Sequence, residues 1–333
     1  MITAFGAEFD VGPGYLNSPS VGVPPRHVVE AVRTWVDDWA AGGISAPAMD
    51  EPVDLSRAAF AALTGVPTTS VAVGSVVSGL LAPVAASFRP GTRVLTAAQE
   101  FTSVSFPFAA AGHEVTEAPV AEVAERADDH DVVAVSVAQS ADGALVDLEG
   151  LRTTGAVVVL DATQSLGWLP VDLTWADVVV AGGYKWLLSP RGCAWGAFSE
   201  RALERVTPSA AGWYAGEDRW SSVYGLPLRL AGSARRLDVS PAWMSFTGAA
   251  VALPWLAGLD RAAVHAHDVG LARRVRTELG LPETGSAIVS IPGDPQRLLD
   301  AGVRCAARAG ATRVGFHLHN TDADVDLVLD ALT

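Results

Sequence analysis

The apolar positions of this chain follow two different spacings. Residues 26–40 and 54–63 carry apolar side chains three and four positions apart, which predicts two amphipathic helices, the second closed by Gly65. Shorter runs of β-branched residues predict buried strands, as in residues 131–136, 156–161 and 177–181. A chain in which helices and buried strands take turns is typical of an α/β fold with a mainly parallel sheet.

Two of the predicted strands lead to side chains that can carry chemistry. The run 156–161 ends in Asp161, and the run 177–181 continues through a glycine pair to Lys185. Parallel sheets bind ligands at their C-terminal edge, so we expect both side chains at that edge. Poor solvation disfavours the ammonium form of a lysine, which frees its amine to form a Schiff base. The alternative is a lysine at a strand end that points into water.

An acid and a lysine on neighbouring strand ends suit pyridoxal phosphate. The lysine holds the aldehyde of this cofactor, and the carboxylate keeps its pyridine nitrogen protonated so that the ring can accept electrons. The sequence therefore predicts pyridoxal phosphate as the cofactor, with Lys185 and Asp161 as the catalytic residues.

Three motifs extend this prediction: Asp-Ala-Thr-Gln at 161–164, Gly-Tyr-Lys-Trp at 183–186, and the segment 313–325. Together they resemble the class V aminotransferase family of fold-type I pyridoxal phosphate enzymes, which includes cysteine desulfurases, kynureninase and C–S lyases. The resemblance runs from about residue 15 to the C-terminus. It implies a homodimer with its active site at the subunit interface.

The same resemblance predicts two domains. The large cofactor-binding domain would span residues 15–245 and contain a seven-stranded, mainly parallel sheet between helices. The small α/β domain would contain residues 246–333, together with residues 1–14 as a loose lead-in.

The resemblance also implies which residues hold the cofactor. Gly74, Ser75 and Val76 replace a Gly-Thr-Thr-like turn that binds phosphate at a helix start, although Val76 lacks the hydroxyl. Phe101 would stack on the pyridine ring. The other implied contacts are Gln139, Gln164, Tyr184 and, across the dimer interface, Thr247, which lies in residues 240–248 where the family places a Gly-Thr-Pro-like turn. A helix cap without a ligand and a phenylalanine packed in the core are the alternatives for residues 74–76 and Phe101.

Two residues are predicted to contact the substrate. Arg313 matches the family's arginine, which binds the substrate α-carboxylate through a bidentate fork that lysine cannot reproduce. Asn17 lies in residues 15–25, the segment that runs past the active-site mouth in the family. The predicted substrate is therefore an amino acid.

Several reactions are compatible with these residues. Lys185 would remove the Cα proton of the substrate, and we predict aminotransferase-type chemistry. A C–S or other β-lyase, or a kynureninase-like hydrolase, is the alternative that Phe101 and Tyr184 favour. A cysteine desulfurase needs a cysteine on a mobile loop, but here only Cys305 lies nearby, in a short segment. A non-catalytic binding protein of the same fold is the alternative from another class, and intact Lys185, Asp161 and Arg313 argue against it.

The composition excludes other classes of protein. A chain of 333 residues, 50% of them hydrophobic, can bury a large core. The net charge of −14 argues against nucleic acid as a partner. Cys193 and Cys305 indicate neither a disulfide framework nor a metal site. Because no apolar leader or membrane-length apolar run is found, we expect a cytoplasmic protein without a membrane partner.

Overall fold

A computed structural model describes residues 1–332. The strands are β1 (Ile2–Ala4), β2 (Ala7–Phe9), β3 (Val71–Gly74), β4 (Arg93–Ala97), β5 (Glu114–Ala118), β6 (Val132–Ser136), β7 (Val157–Asp161), β8 (Val178–Gly182), β9 (Ala194–Phe198), β10 (Ile288–Pro292), β11 (Ala306–Arg308) and β12 (Ala311–Gly315). The α-helices are α1 (Arg26–Ala40), α2 (Asp50–Thr64), α3 (Val77–Ala86), α4 (Thr102–Ala110), α5 (Leu148–Leu151), α6 (Glu200–Arg205), α7 (Trp243–Ala257), α8 (Arg261–Glu278), α9 (Gln296–Asp300) and α10 (Asp322–Leu332).

The central element is a seven-stranded sheet in the order β3-β9-β8-β7-β6-β4-β5. The pairs from β5 to β8 are parallel, whereas β9 runs antiparallel to both of its neighbours. Asp161 at the end of β7 pairs in register with Ser136 on one side and with Val180 on the other. This topology confirms the predicted fold class and brings the ends of β6, β7 and β8 to one edge.

Both faces of this sheet are covered, which explains why its strands are almost wholly apolar. Along β7, Val158 and Leu160 face the main core, whose helical side comes from α1, α2 and α7, among others. Val159, which points to the opposite face, packs in a second core with α3 and α4. Side chains alternate between the two faces of a strand, so a continuous β-branched run fills both cores.

The C-terminal part of the chain forms a second, smaller sheet in the order β10-β12-β11. Its core contains residues of α8, α9 and α10 together with Leu16. Leu16 joins this sheet to the N-terminal segment, because its N–H donates to Arg304 O and its carbonyl accepts from Gly315 N. Residues 15–17 therefore pass directly beside the strand that carries Arg313.

Two segments differ from the sequence-based expectation. Residues 1–14 are not a loose lead-in, because β1 and β2 form a hairpin and the fully buried Phe9 belongs to the main core. The segment around Thr247 is not a turn but part of α7, which packs on α1 and α2. Strands of three residues are too short to show a period of two, and the apolar composition of α7 hides its helical spacing. The predicted domain boundary after residue 245 stays a prediction.

Candidate active site

Lys185 lies in residues 183–189, at the start of the connection from β8 to β9. We call this segment the lysine turn. Gly183 N donates to Cys193 O, and Ser189 N donates back to Gly183 O. Gly22 packs on this turn, where its N–H donates to Tyr184 O. A Cβ atom added to Gly22 would lie 1.9 Å from Lys185 O, so only glycine fits there. Residues 15–25 thus hold the backbone on which Lys185 is carried.

The side chain of Lys185 is buried, with 5% of its surface exposed. Its Nζ lies 5.0 Å from the centre of the Phe101 ring and 5.6 Å from that of Tyr184. Burial lowers the pKa of Lys185 to about 8, although the charge of Asp161 acts in the opposite direction. The amine is therefore much easier to deprotonate than that of a solvated lysine. Lys185 is also the only lysine of the chain, a feature of the sequence that singles it out.

Asp161 is the buried acid of the site. Its Oδ1 accepts a hydrogen bond of 2.8 Å from Thr163 N. Burial raises the pKa of Asp161 to about 6, against the effects of the Thr163 hydrogen bonds and of the Lys185 charge. Thr163, which sequence reasoning missed, also ties the two strand ends together, because its Oγ1 accepts from Gly182 N at 3.0 Å.

Asp161 and Lys185 line one cavity of about 230 Å³, which we call the cofactor cavity. Ser75 and Val76 line it as well, together with the first residues of α3, where helix N–H groups lack carbonyl partners within the helix. Phe101 lies at its wall, 43% exposed. Gly74 ends β3 beside a smaller neighbouring cavity that Ser75 and Val76 also line.

Glu100 is a buried carboxylate that the sequence analysis did not single out. It accepts hydrogen bonds from Ser136 N at 2.8 Å, Ser136 Oγ at 2.6 Å and Phe101 N at 2.8 Å. It also accepts from Gln139 Nε2 at 3.1 Å, so the predicted cofactor contact Gln139 is turned toward Glu100. Glu100 therefore fixes the position of Phe101 at the start of α4, and the role predicted for Gln139 stays a prediction.

Gln164 lines the cofactor cavity, and both of its amide atoms are hydrogen-bonded within the protein. Its Nε2 donates to Pro19 O at 3.0 Å and to Ser140 Oγ at 2.9 Å, and its Oε1 accepts from Trp186 Nε1 at 2.7 Å. Gln164 thus links residues 15–25 to the residue that follows Lys185. The contact with the cofactor's phenolic oxygen stays a prediction.

A histidine from the C-terminal segment also reaches the lysine turn. The fully buried His317 has its Nδ1 2.8 Å from Asp268 Oδ2 and its Nε2 3.0 Å from Trp186 O. This contact, 131 positions apart in the chain, anchors the turn to α8. No local pattern in the sequence indicates it.

Arg313 and Lys185 line a second, adjoining cavity of about 510 Å³, which we call the substrate cavity. Arg313 is 1% exposed; its guanidinium donates to Ser140 O, to Ser140 Oγ at 3.1 Å and to Ser20 Oγ at 2.8 Å. Its Nε has no hydrogen-bond partner among the described residues. Burial, followed by the charge of Arg308, lowers the pKa of Arg313 to about 10, so it stays charged at neutral pH.

Tyr184 lies between the two cavities and lines both. The Arg191 guanidinium lies 5.3 Å from the centre of its ring. Burial raises the pKa of the Tyr184 hydroxyl, so this group is protonated at neutral pH. Its predicted contact with the cofactor phosphate stays a prediction.

Four predicted site residues line neither of the two cavities, namely Gly74, Gln139, Asn17 and Thr247. Thr247 Oγ1 donates to Trp243 O within α7, and Asn17 forms a bridge with Gly315 while its buried Oδ1 has no partner in the described chain. Their predicted roles therefore stay predictions.

The two cysteines are placed differently. Cys193 lines the cofactor cavity, but its Sγ donates to Pro190 O, and burial raises its pKa far above the ordinary value. Cys305 is half-buried ahead of β11 and lines neither of the two cavities. Neither thiol faces the substrate cavity.

These residues fit pyridoxal phosphate. An amine with a lowered pKa, a buried carboxylate without an arginine partner and a helix start with hydroxyl groups line one cavity. These are the groups that hold the aldehyde, the ring nitrogen and the phosphate of this cofactor. The fold and this donor set define a pyridoxal phosphate-dependent enzyme of fold type I.

The family follows from a sequence comparison. The family described as Aminotransferase class-V matches residues 66–290, about two thirds of the chain. The chain belongs to the class V aminotransferase family, which confirms the resemblance, the enzyme class and the cofactor predicted from the sequence.

Individual relatives are more distant. The uncharacterized aminotransferase YcbU of Bacillus subtilis (strain 168) is 26% identical over 212 residues, which are 57% of this chain and 56% of that protein. The match thus spans about half the length of the curated relative. The Escherichia coli cysteine desulfurase CsdA, in an S-sulfonic acid form, is 18% identical with a TM-score of 0.82, covering 98% of this chain and 96% of that chain.

A second solved structure is the cystine C–S lyase C-DES in complex with its product cysteine persulfide. It is 17% identical with a TM-score of 0.82, and the match covers 97% of both chains. At such identities these likenesses show the fold alone. Among the described helices, none is both long and apolar enough to span a bilayer.

Proposed function

We propose that this protein is an aminotransferase that acts on an α-amino acid, with Lys185 as its proton carrier. One observation carries the proposal: the only lysine of the chain lines both the cofactor cavity and the substrate cavity. A single amine at that junction can remove the Cα proton of the substrate and pass it to the cofactor side, the proton transfer that transamination requires.

When bound, pyridoxal phosphate withdraws electrons from the Cα of the attached amino acid and so acidifies its proton. Asp161 supplies the negative charge that keeps a ring nitrogen protonated, and Phe101 supplies an aromatic surface at the wall of the cavity. Lys185, whose pKa is lowered to about 8, exists partly as the free amine that covalent attachment needs. The N–H groups at the start of α3 and the Ser75 hydroxyl are the proposed phosphate ligands.

The substrate is held from the opposite side. Arg313 donates to an α-carboxylate, and its Nε has no competing partner among the described residues. Ser140 and Ser20 already bind the same guanidinium, so its direction is fixed before the substrate arrives. The proposal is completed by a cytoplasmic homodimer, the assembly that the family resemblance implies.

A β-lyase is the second candidate, favoured by the position of Tyr184. Tyr184, whose hydroxyl is protonated at neutral pH, lines the substrate cavity beside Lys185, where a proton donor could assist a leaving group. The desulfurase alternative has less support, because no cysteine lines the substrate cavity.

The two candidates differ in their need for a second substrate. The holoenzyme should convert an amino acid to one equivalent of keto acid per active site and then stop until an acceptor keto acid is added. Continued release of ammonia and keto acid over many turnovers without an acceptor would establish the lyase instead. Lys185→Ala serves as the inactive control in both assays.

A further inference from the structure

The substrate cavity has the opposite charge to the protein that surrounds it. The chain carries a net charge of −14, yet among residues 1–332 five cationic side chains and no carboxylate line this cavity. The five are Arg33, Lys185, Arg191, Arg308 and Arg313. Lys185 holds the cofactor, and Arg313 suffices for one α-carboxylate. The cavity therefore contains more positive charge than a neutral amino acid can use.

Arg308 is held beside Arg313 by the backbone. In the β11–β12 pair Ala306 is opposite Arg313, and Arg308 lies two residues further along β11. Residues two apart on a strand share one face of the sheet, so Arg308 and Arg313 are diagonal neighbours on the same face. The hairpin is fixed by a two-residue turn, Ala309 and Gly310, in which both residues have positive φ angles of 48° and 78°.

Nothing in the described chain neutralises Arg308. Its guanidinium donates to Ala307 O and forms no ion pair with a carboxylate of the described residues. Its charge acts on both Lys185 and Arg313, which places it within electrostatic reach of each. Two like charges side by side on a sheet are unfavourable unless an anion lies between or beside them.

The wall between the cations is apolar. Val28, Val29 and Val32 of α1 line the cavity, and Arg33, the next residue of that helix, lines it as well. A chain of methylene groups can pack on this wall while charged groups at its two ends reach arginines.

Resting on the function proposed above, we infer that the substrate is an acidic α-amino acid. Its α-carboxylate binds Arg313, and a distal anionic group binds Arg308, with Arg33 contributing at longer range. The shared chemistry is a terminal oxyanion, either a carboxylate or a phosphate.

The test compares matched pairs of amino acids that differ in the distal charge. Glutamate is paired with glutamine, aspartate with asparagine, and phosphoserine with serine. Binding to the holoenzyme is followed by the change in cofactor absorbance, and kcat/KM is measured separately. We expect the acidic member of at least one pair to bind roughly 10-fold more tightly, because hydrogen bonds to charged groups are worth that order. The pair with the largest ratio identifies the distal group.

Variants of Arg308 then test whether this residue causes the preference for acidic amino acids. Arg308→Gln should reduce the ratio of acidic to neutral binding to about one, and Arg308→Lys should restore part of it. Arg297→Gln, an exposed arginine on α9 that lines neither cavity, is the matched control. Arg308 is exposed, so its replacement does not remove a buried contact.

The outcomes separate this inference from the proposed reaction. Equal binding of acidic and neutral members by the unaltered enzyme, or a preference that Arg308→Gln leaves intact, would overturn it. If the products are those of a lyase, the aminotransferase proposal fails, while the charge preference and its dependence on Arg308 still decide the substrate class.

Discussion

Two buried arginines of this protein have opposite surroundings. Arg57, 2% exposed, forms a fork with Asp238, in which the two guanidinium-to-carboxylate distances are 3.1 and 2.7 Å. Val73 N also donates to Asp238, so this pair joins α2 to β3. Arg313 is equally buried, but within the described part of the chain its partners are hydroxyl and carbonyl groups, and its Nε has none.

The pKa values of the two arginines reflect whether a carboxylate lies beside each of them. Burial disfavours the charge of Arg57, but Asp238 outweighs this and raises its pKa above the ordinary value. Arg313 has no carboxylate to do the same, and burial lowers its pKa to about 10. Asp161, buried without an arginine, is the acidic counterpart of Arg313. The paired arginine joins two elements of the fold, whereas the arginine without a counter-ion is placed to bind a ligand.

The largest expected effect comes from the active site, where Lys185 is the residue to replace. Lys185→Ala removes the only lysine, so covalent attachment of the cofactor should be lost, together with a factor on the order of 10³ or more in kcat. Visible absorbance after incubation with pyridoxal phosphate measures the attachment of the cofactor, and the rate of keto acid release measures kcat. A borohydride-stable cofactor adduct on the Lys185→Ala chain would contradict Lys185 as the anchor.

Replacing the paired arginine, Arg57, should instead change the stability of the fold. Arg57→Met leaves the buried Asp238 without its cationic partner and should lower the free energy of unfolding by about 3–5 kcal/mol. The double variant Arg57→Met with Asp238→Leu should recover most of this loss, because no charge is then left unpaired. Urea unfolding of the apoenzyme measures both. Equal losses in the single and double variants would contradict the pairing argument.

Arg313→Lys tests the substrate side of the unpaired group. Lysine keeps the charge but loses the fork, so KM for the amino acid should rise roughly 10- to 100-fold. The absorbance spectrum without substrate should be unchanged, since Arg313 is not a proposed cofactor ligand. Arg297→Lys is the matched control, and an unchanged KM in Arg313→Lys would remove Arg313 from the substrate site.

The smallest expected effect is a gain in the free energy of unfolding when Asp161 is replaced, and the size of this gain depends on pH. The pKa of Asp161 is 3.8 ordinarily and about 6 when folded, so the stability it contributes is present below pH 3.8 and is lost as the pH rises through about 6. In the apoenzyme at pH 7.5, Asp161→Asn removes this buried charge and should raise the free energy of unfolding by roughly 1–3 kcal/mol. Urea unfolding at about pH 4.5 should show a smaller gain. The same gain at both pH values would contradict the titration.

The sequence predicted the parts of the site that depend on local pattern. β7 and β8 are continuous apolar runs, and their ends determine where Asp161 and Lys185 lie. Contacts between distant segments left no such pattern. The Glu100 contacts with Ser136, the anchoring of the lysine turn by His317 and the burial of Arg313 each join segments that are separated by 36 or more positions.

Local reasoning also misled in two places. The turn expected in residues 240–248 came from the position of this segment in the family, while the apolar run of α7 packs as a helix on α1 and α2. The N-terminal hairpin depends on Phe5 and Gly6, both with positive φ, which allow two three-residue strands to pair. Segments that short carry too few positions for their pairing to be predicted.

The central claim is that Lys185 is the covalent anchor of pyridoxal phosphate, and its place as the only lysine makes this directly testable. The apoenzyme is incubated with pyridoxal phosphate and reduced with borohydride, and its peptides are analysed by mass spectrometry. We predict one phosphopyridoxyl group per chain, on Lys185, with none on that peptide when the cofactor is omitted. A saturating visible absorbance with the peptide of Lys185 left unmodified would contradict the account.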